Sequence, residues 1–294
     1  MERHFCLDDL SVFSEPSALR RPFNARCRML ELDEIDSTNN FLRHLDTPDD
    51  YQMTLVTAEY QTAGRGADTN RWESAKGENL LLSLRVKPAN LPVSRMFVLS
   101  ETTALAISDV LGAFLSLTSP KGGRGVCIKW PNDIYYGDSK VAGILIENDL
   151  QGSRVQRSTI GIGINVNQRR FLSDAPNPRS LADIVGHDVE RRLVLEQFME
   201  RFTHLFGQIE DGRPEALDAL HENYKNHLYR FGEEHTYSDK DGTFRATLTD
   251  VEPSGHLILR DTNGTLRRYA FKEVKWEIPL TPQGERVNDT TFRG

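Results

Sequence analysis

The chain has 294 residues and a net charge of −7, with 38% hydrophobic and 27% charged residues. That is enough for one sizeable domain and a small one, in a globular rather than a disordered composition. The acidic balance argues against a broad nucleic-acid face, and Cys6, Cys27 and Cys127 are spaced for neither a zinc site nor a disulfide framework, which suits a reducing cytoplasm.

Residues 1–28 show mixed polarity and no period, and lack the apolar core of a signal peptide; they are expected to be a short extension. They are too few for a helix-turn-helix module with its supporting strands, so no DNA partner is expected. No apolar run approaches the length of a membrane span. Met29–Ile35 reads as a strand, and Asp36-Ser37-Thr38 as a cap before a helix over Asn39–Leu45. Pro48-Asp49-Asp50 is a turn, Thr54–Tyr60 a buried strand, Gln61–Gly77 a glycine-bearing loop and Asn79–Val86 the next strand. Ser94–Leu117 has helical periodicity and stops at Lys121-Gly122-Gly123. Three strand-like runs follow at Val126–Trp130, Val141–Asn148 and Thr159–Asn167, then a helix pair at Leu193–Ile209 and Glu215–Tyr229. After Arg230 the texture changes to short β runs, with hairpin signals at Asp241-Gly242 and Asn263-Gly264, which predicts a small β-barrel ahead of a polar tail.

The Walker A pattern, a complete GxGxxG, HExxH and GxSxG are all absent from the sequence. Four polar clusters lie instead at the ends of expected strands. Asp36-Ser37-Thr38-Asn39 begins a helix, where free N–H groups and hydroxyls face outward. Gln61-Thr62-Ala63-Gly64-Arg65-Gly66 sets a cation between two residues that permit close backbone approach, and Trp72 follows in the same loop. Lys129-Trp130-Pro131-Asn132-Asp133 and Lys140-Val141-Ala142-Gly143 bring two lysines to sheet ends, which implies an anionic partner. In Gly161-Ile162-Gly163-Ile164-Asn165-Val166-Asn167, alternation puts Asn165 and Asn167 on one face. Cations, amides and glycines with neither a metal cluster nor an evident general base suit phosphate binding and nucleotidyl transfer.

In this order and spacing the clusters resemble the biotin–protein ligase family, most specifically through KWPND followed by KxxG, over about residues 30–167. The resemblance implies an α+β fold. Residues 29–229 would form an α/β catalytic domain of the type shared with class II aminoacyl-tRNA synthetases and lipoate ligases, 230–280 a C-terminal SH3-like β-barrel, 1–28 an extension and 281–294 a tail. It also implies two half-reactions: biotin and ATP give biotinyl-5'-AMP, and biotin is then transferred to a lysine of a biotin carboxyl carrier protein or domain of a carboxylase. Mg²⁺ would arrive with ATP. By the same resemblance Ser37, Thr38, Asn39 and Gln61 meet the biotin ring system, Gly64, Arg65 and Gly66 pack along the ligand, and Lys140, with Arg65, offsets charge in the transition state. Trp72, Lys129, Asn132 and Asn165 are assigned to ATP or the adenylate, and no residue to a resident metal.

Two departures stand out. The family's GRG usually continues with basic residues; here Ala67 and Asp68 follow, which should weaken retention of the adenylate, and Arg71 restores one charge. The DNA-binding module of some members is not matched, so the chain resembles the purely enzymatic class. Lipoate ligase, a DNA-binding regulator and a weakly catalytic biotin binder are the alternatives, and family members occur both as monomers and as homodimers.

Overall fold

The structure is a computed structural model that describes residues 2–6, 26–45, 51–67, 70–116, 125–172, 177–210 and 212–278. The Pro48–Asp50 turn, the Lys121–Gly123 break and the tail from Pro279 lie outside the described residues. An eight-stranded mixed sheet forms the larger layer. Its strands are β1 (Glu2–Cys6), β2 (Arg26–Ile35), β3 (Met53–Gln61), β4 (Leu80–Val86), β5 (Val126–Lys129), β6 (Asp133–Tyr136), β7 (Ser139–Gln151) and β8 (Arg154–Ile164). They run in the order β1-β2-β3-β4-β8-β7-β6-β5. Only β2 and β3 are parallel, and helix α1 (Thr38–His44) makes the crossover between them.

β4 shows why this sheet has two dry faces. Its sequence LLLSLRV is buried throughout. Leu80, Leu82, Leu84 and Val86 enter the main core beneath helices α2 (Val98–Leu115), α4 (Arg191–Glu210) and α5 (Pro214–Asn226), while Leu81, Ser83 and Arg85 point to the face that carries α1. Leu42 of α1 seals that second face with Leu30 and Val56. The short helix α3 (Leu181–Val185) starts at Ser180, whose hydroxyl accepts the Asp183 N–H.

Val93–Leu115, comprising a 3₁₀ turn and α2, is long and apolar enough to cross a membrane, contrary to the expectation from the sequence. It is instead a core helix: 78% of its apolar window is buried, because α4, α5 and the sheet cover it on several sides. Within residues 1–28, Glu2–Cys6 pair with β2 at the sheet edge, and β2 itself starts at Arg26. β6 and α3 were not anticipated.

The C-terminal residues form an open five-stranded antiparallel sheet ordered β12-β11-β10-β9-β13. Its strands are β9 (Glu234–Asp239), β10 (Gly242–Val251), β11 (Leu257–Asp261), β12 (Leu266–Tyr269) and β13 (Lys275–Trp276). Gly242 and Gly264 turn the two anticipated hairpins with positive φ. Among the described residues the ladder does not close into a barrel; β13 is two residues long and pairs with β9 alone. Trp130 joins the two sheets: its indole N–H donates to the Gly255 carbonyl at 2.9 Å and its ring packs edge-on against Phe271.

Candidate active site

A cavity of about 880 Å³ opens on the α1 side of the large sheet, where β3, β4, β8, β7 and β5 end, and Phe271–Trp276 close its far side. Ser37, Thr38, Asn39, Gln61, Arg65, Gly66, Trp72, Lys129, Asn132, Lys140 and Asn165, taken from separated stretches of the sequence, all line it. Gly64 does not. It lies behind the wall, where Trp72 N–H donates to its carbonyl at 3.0 Å and a Cβ would stand 2.5 Å from the Trp72 carbonyl oxygen.

One end of the cavity is a neutral polar pocket. The backbone N–H of Thr38, free at the start of α1, donates to Gln61 Oε1 at 2.7 Å, so Gln61 acts as the helix cap that the Ser37 side chain does not provide. A backbone N–H can only donate, so this bond fixes Oε1 toward the helix and leaves Nε2 as the donor presented elsewhere. Beneath it, Asn39 Nδ2 donates to Glu147, which turns Asn39 Oδ1 toward Ser83. The Ser83 hydroxyl also lies 2.7 Å from Thr38 Oγ1, which in turn lies 3.0 Å from Gln61 Oε1. Three oxygen–oxygen contacts thus share two hydroxyl protons, and the cluster is short of donors. A ligand group carrying both N–H and C=O complements such a pocket.

The floor is made of glycine. A Cβ at Gly161 would stand 2.4 Å from Asn39 Oδ1, and one at Gly163 would stand 2.2 Å from the Trp72 ring. The alternation of β8 sends Ile160, Ile162 and Ile164 to the core and leaves these two glycines facing the cavity. The Trp72 ring lies over Gly163 and Gly143, and its buried indole N–H has no hydrogen-bond partner among the described residues. Lys140 Nζ stands 5.8 Å from the ring centroid and 2.6 Å from Asp133 Oδ1. The Lys140 backbone is fixed on its other side by Asn177 and Arg179, so its ammonium is presented from a pinned strand.

The far end is cationic. Lys129 lies between the rings of Tyr135 and Trp276, 5.7 Å from each centroid. Burial pulls its pKa below the usual lysine value, against the opposing influence of Asp133. Lys272 and Lys275 line the same end. Sequence reasoning missed both, and assigned no site role to Asp133, although Asp133 stands in the KWPND motif it singled out.

Two anticipated residues use their amides on the backbone. Asn132 Nδ2 donates to the Ile144 carbonyl, and Asn165 Nδ2 reaches the carbonyls of Lys140 and Arg179, so both brace the cavity wall. Asn167 does not join Asn165 in the cavity; its amide pairs with both backbone groups of Val189. Asp68 lies outside the described residues, while Ala67 lines the cavity.

A sheet-end cavity with a neutral polar head, a glycine floor and a cationic tail is complementary in shape and charge to an elongated group that is polar and neutral at one end and anionic at the other. Residues 32–165 match the model of the Biotin/lipoate A/B protein ligase family. It is 28% identical over 243 residues, 81% of its length, to the bifunctional ligase/repressor BirA of Bacillus spizizenii, of which it covers 71%. It is 29% identical over 219 residues to the biotin--[acetyl-CoA-carboxylase] ligase of Paracoccus denitrificans, covering 71% of this chain and 85% of that one. Its fold is that of the biotin protein ligase from Aquifex aeolicus solved with biotin and ATP, with a TM-score of 0.68 and 24% identity over 85% of this chain and 99% of the other.

Proposed function

We propose that this chain is an ATP-dependent biotin–protein ligase of the cytoplasm, with residues 29–229 as its catalytic domain, 230–280 as an SH3-like C-terminal domain, and 1–28 and 281–294 as flanking segments. The observation that carries the reading is the juxtaposition of a neutral donor–acceptor pocket at Thr38 and Gln61 with Lys140 on one glycine floor. Ser37, Thr38, Asn39 and Gln61 hold the ureido ring of biotin, the Gln61 Nε2 donating to its carbonyl and the oxygen cluster accepting its N–H groups. The valeryl chain runs along Gly161 and Gly163, which brings its carboxylate to Lys140.

A carboxylate oxygen then attacks the α-phosphorus of ATP. The bond from that phosphorus to the bridging oxygen breaks, and pyrophosphate leaves. Lys140 and Arg65 offset the negative charge that gathers at the α-phosphate, and Asp133 keeps the Lys140 ammonium aimed. Trp72 packs on the adenylate, and Lys129, Lys272 and Lys275 meet the phosphate tail. Asn132 and Asn165 shape the adenylate end of the site. In the second step the amine of an acceptor lysine attacks the acyl carbon, AMP leaves and the amine loses a proton. The acceptor is a biotin carboxyl carrier protein or domain of a carboxylase, a reading supported by the names of the relatives. Mg²⁺ enters with ATP; among the described residues no group of three or more His, Cys, Asp or Glu is placed to hold a metal.

The test is biotin-dependent ATP–pyrophosphate exchange in wild type and Lys140→Ala, with lipoate as control. Exchange with biotin alone, reduced about 100- to 1,000-fold by the substitution, is expected. No exchange with biotin refutes the reading, and exchange with lipoate would move the chain to the other branch of the family.

A further inference from the structure

Glu147 is absent from the cavity wall, yet it collects N–H groups from three residues around it. It continues the face of β7 that carries Gly143 and Leu145. Arg65 meets it with a two-pronged contact, Nη1 to Oε2 and Nη2 to Oε1, both at 3.1 Å. Arg43 donates at 3.1 Å and Asn39 at 3.2 Å to the same carboxylate. One exposed ion pair contributes little, but a forked arginine–carboxylate contact fixes orientation as well as distance, and this carboxylate is 24% exposed.

Arg65 Nη1 also donates to Asn40 Oδ1 at 2.9 Å. Three of the five guanidinium N–H groups are thereby committed, and two remain for a ligand. The backbone of Arg65 bridges that of Arg71, one residue before Trp72. Fixing the Arg65 side chain to β7 therefore also fixes the start of the segment that lays Trp72 on the floor.

We propose that Glu147 is a positioning residue: it anchors Arg65 to β7 and, through the Arg65–Arg71 backbone bridge, Arg71 and Trp72, without touching substrate. Its consequence for rate rests on the ligase reading; the anchoring itself does not. In Glu147→Gln one carboxylate oxygen becomes an NH₂ group facing arginine N–H groups, so the fork is lost while the shape is kept.

The experiment compares wild type, Glu147→Gln, Arg65→Ala and the double variant by native-state trypsin cleavage after Arg65 and Arg71, thermal midpoint, and kcat and KM for biotin-dependent exchange. Glu147→Gln is expected to keep its thermal midpoint, to be cut at these bonds about tenfold faster, and to lose about tenfold in kcat/KM. The double variant should be no worse than Arg65→Ala. If Glu147→Gln does not fold, Glu147→Asp, which withdraws the charge by one methylene, carries the same comparison. Cleavage at the wild-type rate overturns the proposal, and so do losses that multiply in the double variant. A wild type without biotin-dependent exchange refutes the ligase reading alone, and the cleavage comparison still decides the anchor.

Discussion

Gly163→Ala isolates the contact between the cavity floor and Trp72. The new Cβ would stand 2.2, 2.5 and 2.7 Å from three atoms of the indole ring. Carbon atoms settle near about 3.5 Å, so the nearest ring atom must retreat by about 1.3 Å. The backbone cannot supply that distance, because Gly163 is registered against Leu81 on one side and Gly143 on the other. The ring must therefore lift. Trp72 is half-buried and its indole N–H has no partner among the described residues, so lifting it costs little, about 1 kcal/mol, the low end for an overpacked site. Function should suffer more, since a displacement of about 1 Å in a positioned group lowers rate about 100-fold. Urea unfolding followed by tryptophan emission and biotin-dependent exchange measure the two effects. Wild-type exchange with a stability loss of about 3 kcal/mol or more would refute the reasoning, because the strain would then have gone into the sheet and not into the ring.

Gln61→Glu keeps the cap on Thr38 but removes the donor, so KM for biotin should rise about 10- to 100-fold with an unchanged thermal midpoint; an unchanged KM would show that Nε2 does not meet the ligand. Lys129 has a lowered pKa because burial disfavours its charge, so the unfolded chain binds more protons between the lowered value and 10.5, and stability rises with pH across that window. Lys129→Met should accordingly stabilise the protein by about 1 kcal/mol at pH 7, flatten that rise and weaken ATP binding, all measurable by denaturation at pH 7 and 10 and by ATP titration. Glu101 and His221 form a buried pair at 2.6 Å between α2 and α5. Burial raises the Glu101 pKa; burial opposes charging of His221, but the hydrogen bond and charge of Glu101 outweigh it and leave its pKa raised. Both shifts make the folded state bind more protons, so stability should fall as pH rises from 4.5 through the raised histidine value above 6.5. His221→Gln should remove the histidine part of that slope in denaturation curves between pH 5 and 8, and an unchanged slope would show that the histidine does not titrate with folding.

The sequence by itself marked the glycine floor and the side of the cavity next to α1, because those residues sit at the ends of strands whose alternation and glycines are local signals, but not the side closed by Phe271–Trp276. The burial of Ile160, Ile162 and Ile164 opposite Gly161 and Gly163 follows from a two-residue period alone. β6 was hidden because Pro131-Asn132 at its start reads as a turn and its four residues are too few to show a period. The membrane-length apolarity of α2 was underestimated, and what makes it a core helix is cover from α4, α5 and the sheet, which no local window contains. Hydrogen-bond orientation was equally out of reach. Gln61 meets Thr38 across 23 positions, Arg65 meets Glu147 across 82, and Asn39 meets Glu147 across 108. Lys272 and Lys275 reach the cavity because the C-terminal sheet packs against the larger one, through Trp130 on Gly255 and Lys129 on Trp276 among other contacts. Side-chain type and spacing determine which groups are available. Which of their donors and acceptors remain unspent for a ligand is set by partners brought in from distant parts of the chain, and that only the tertiary structure decides.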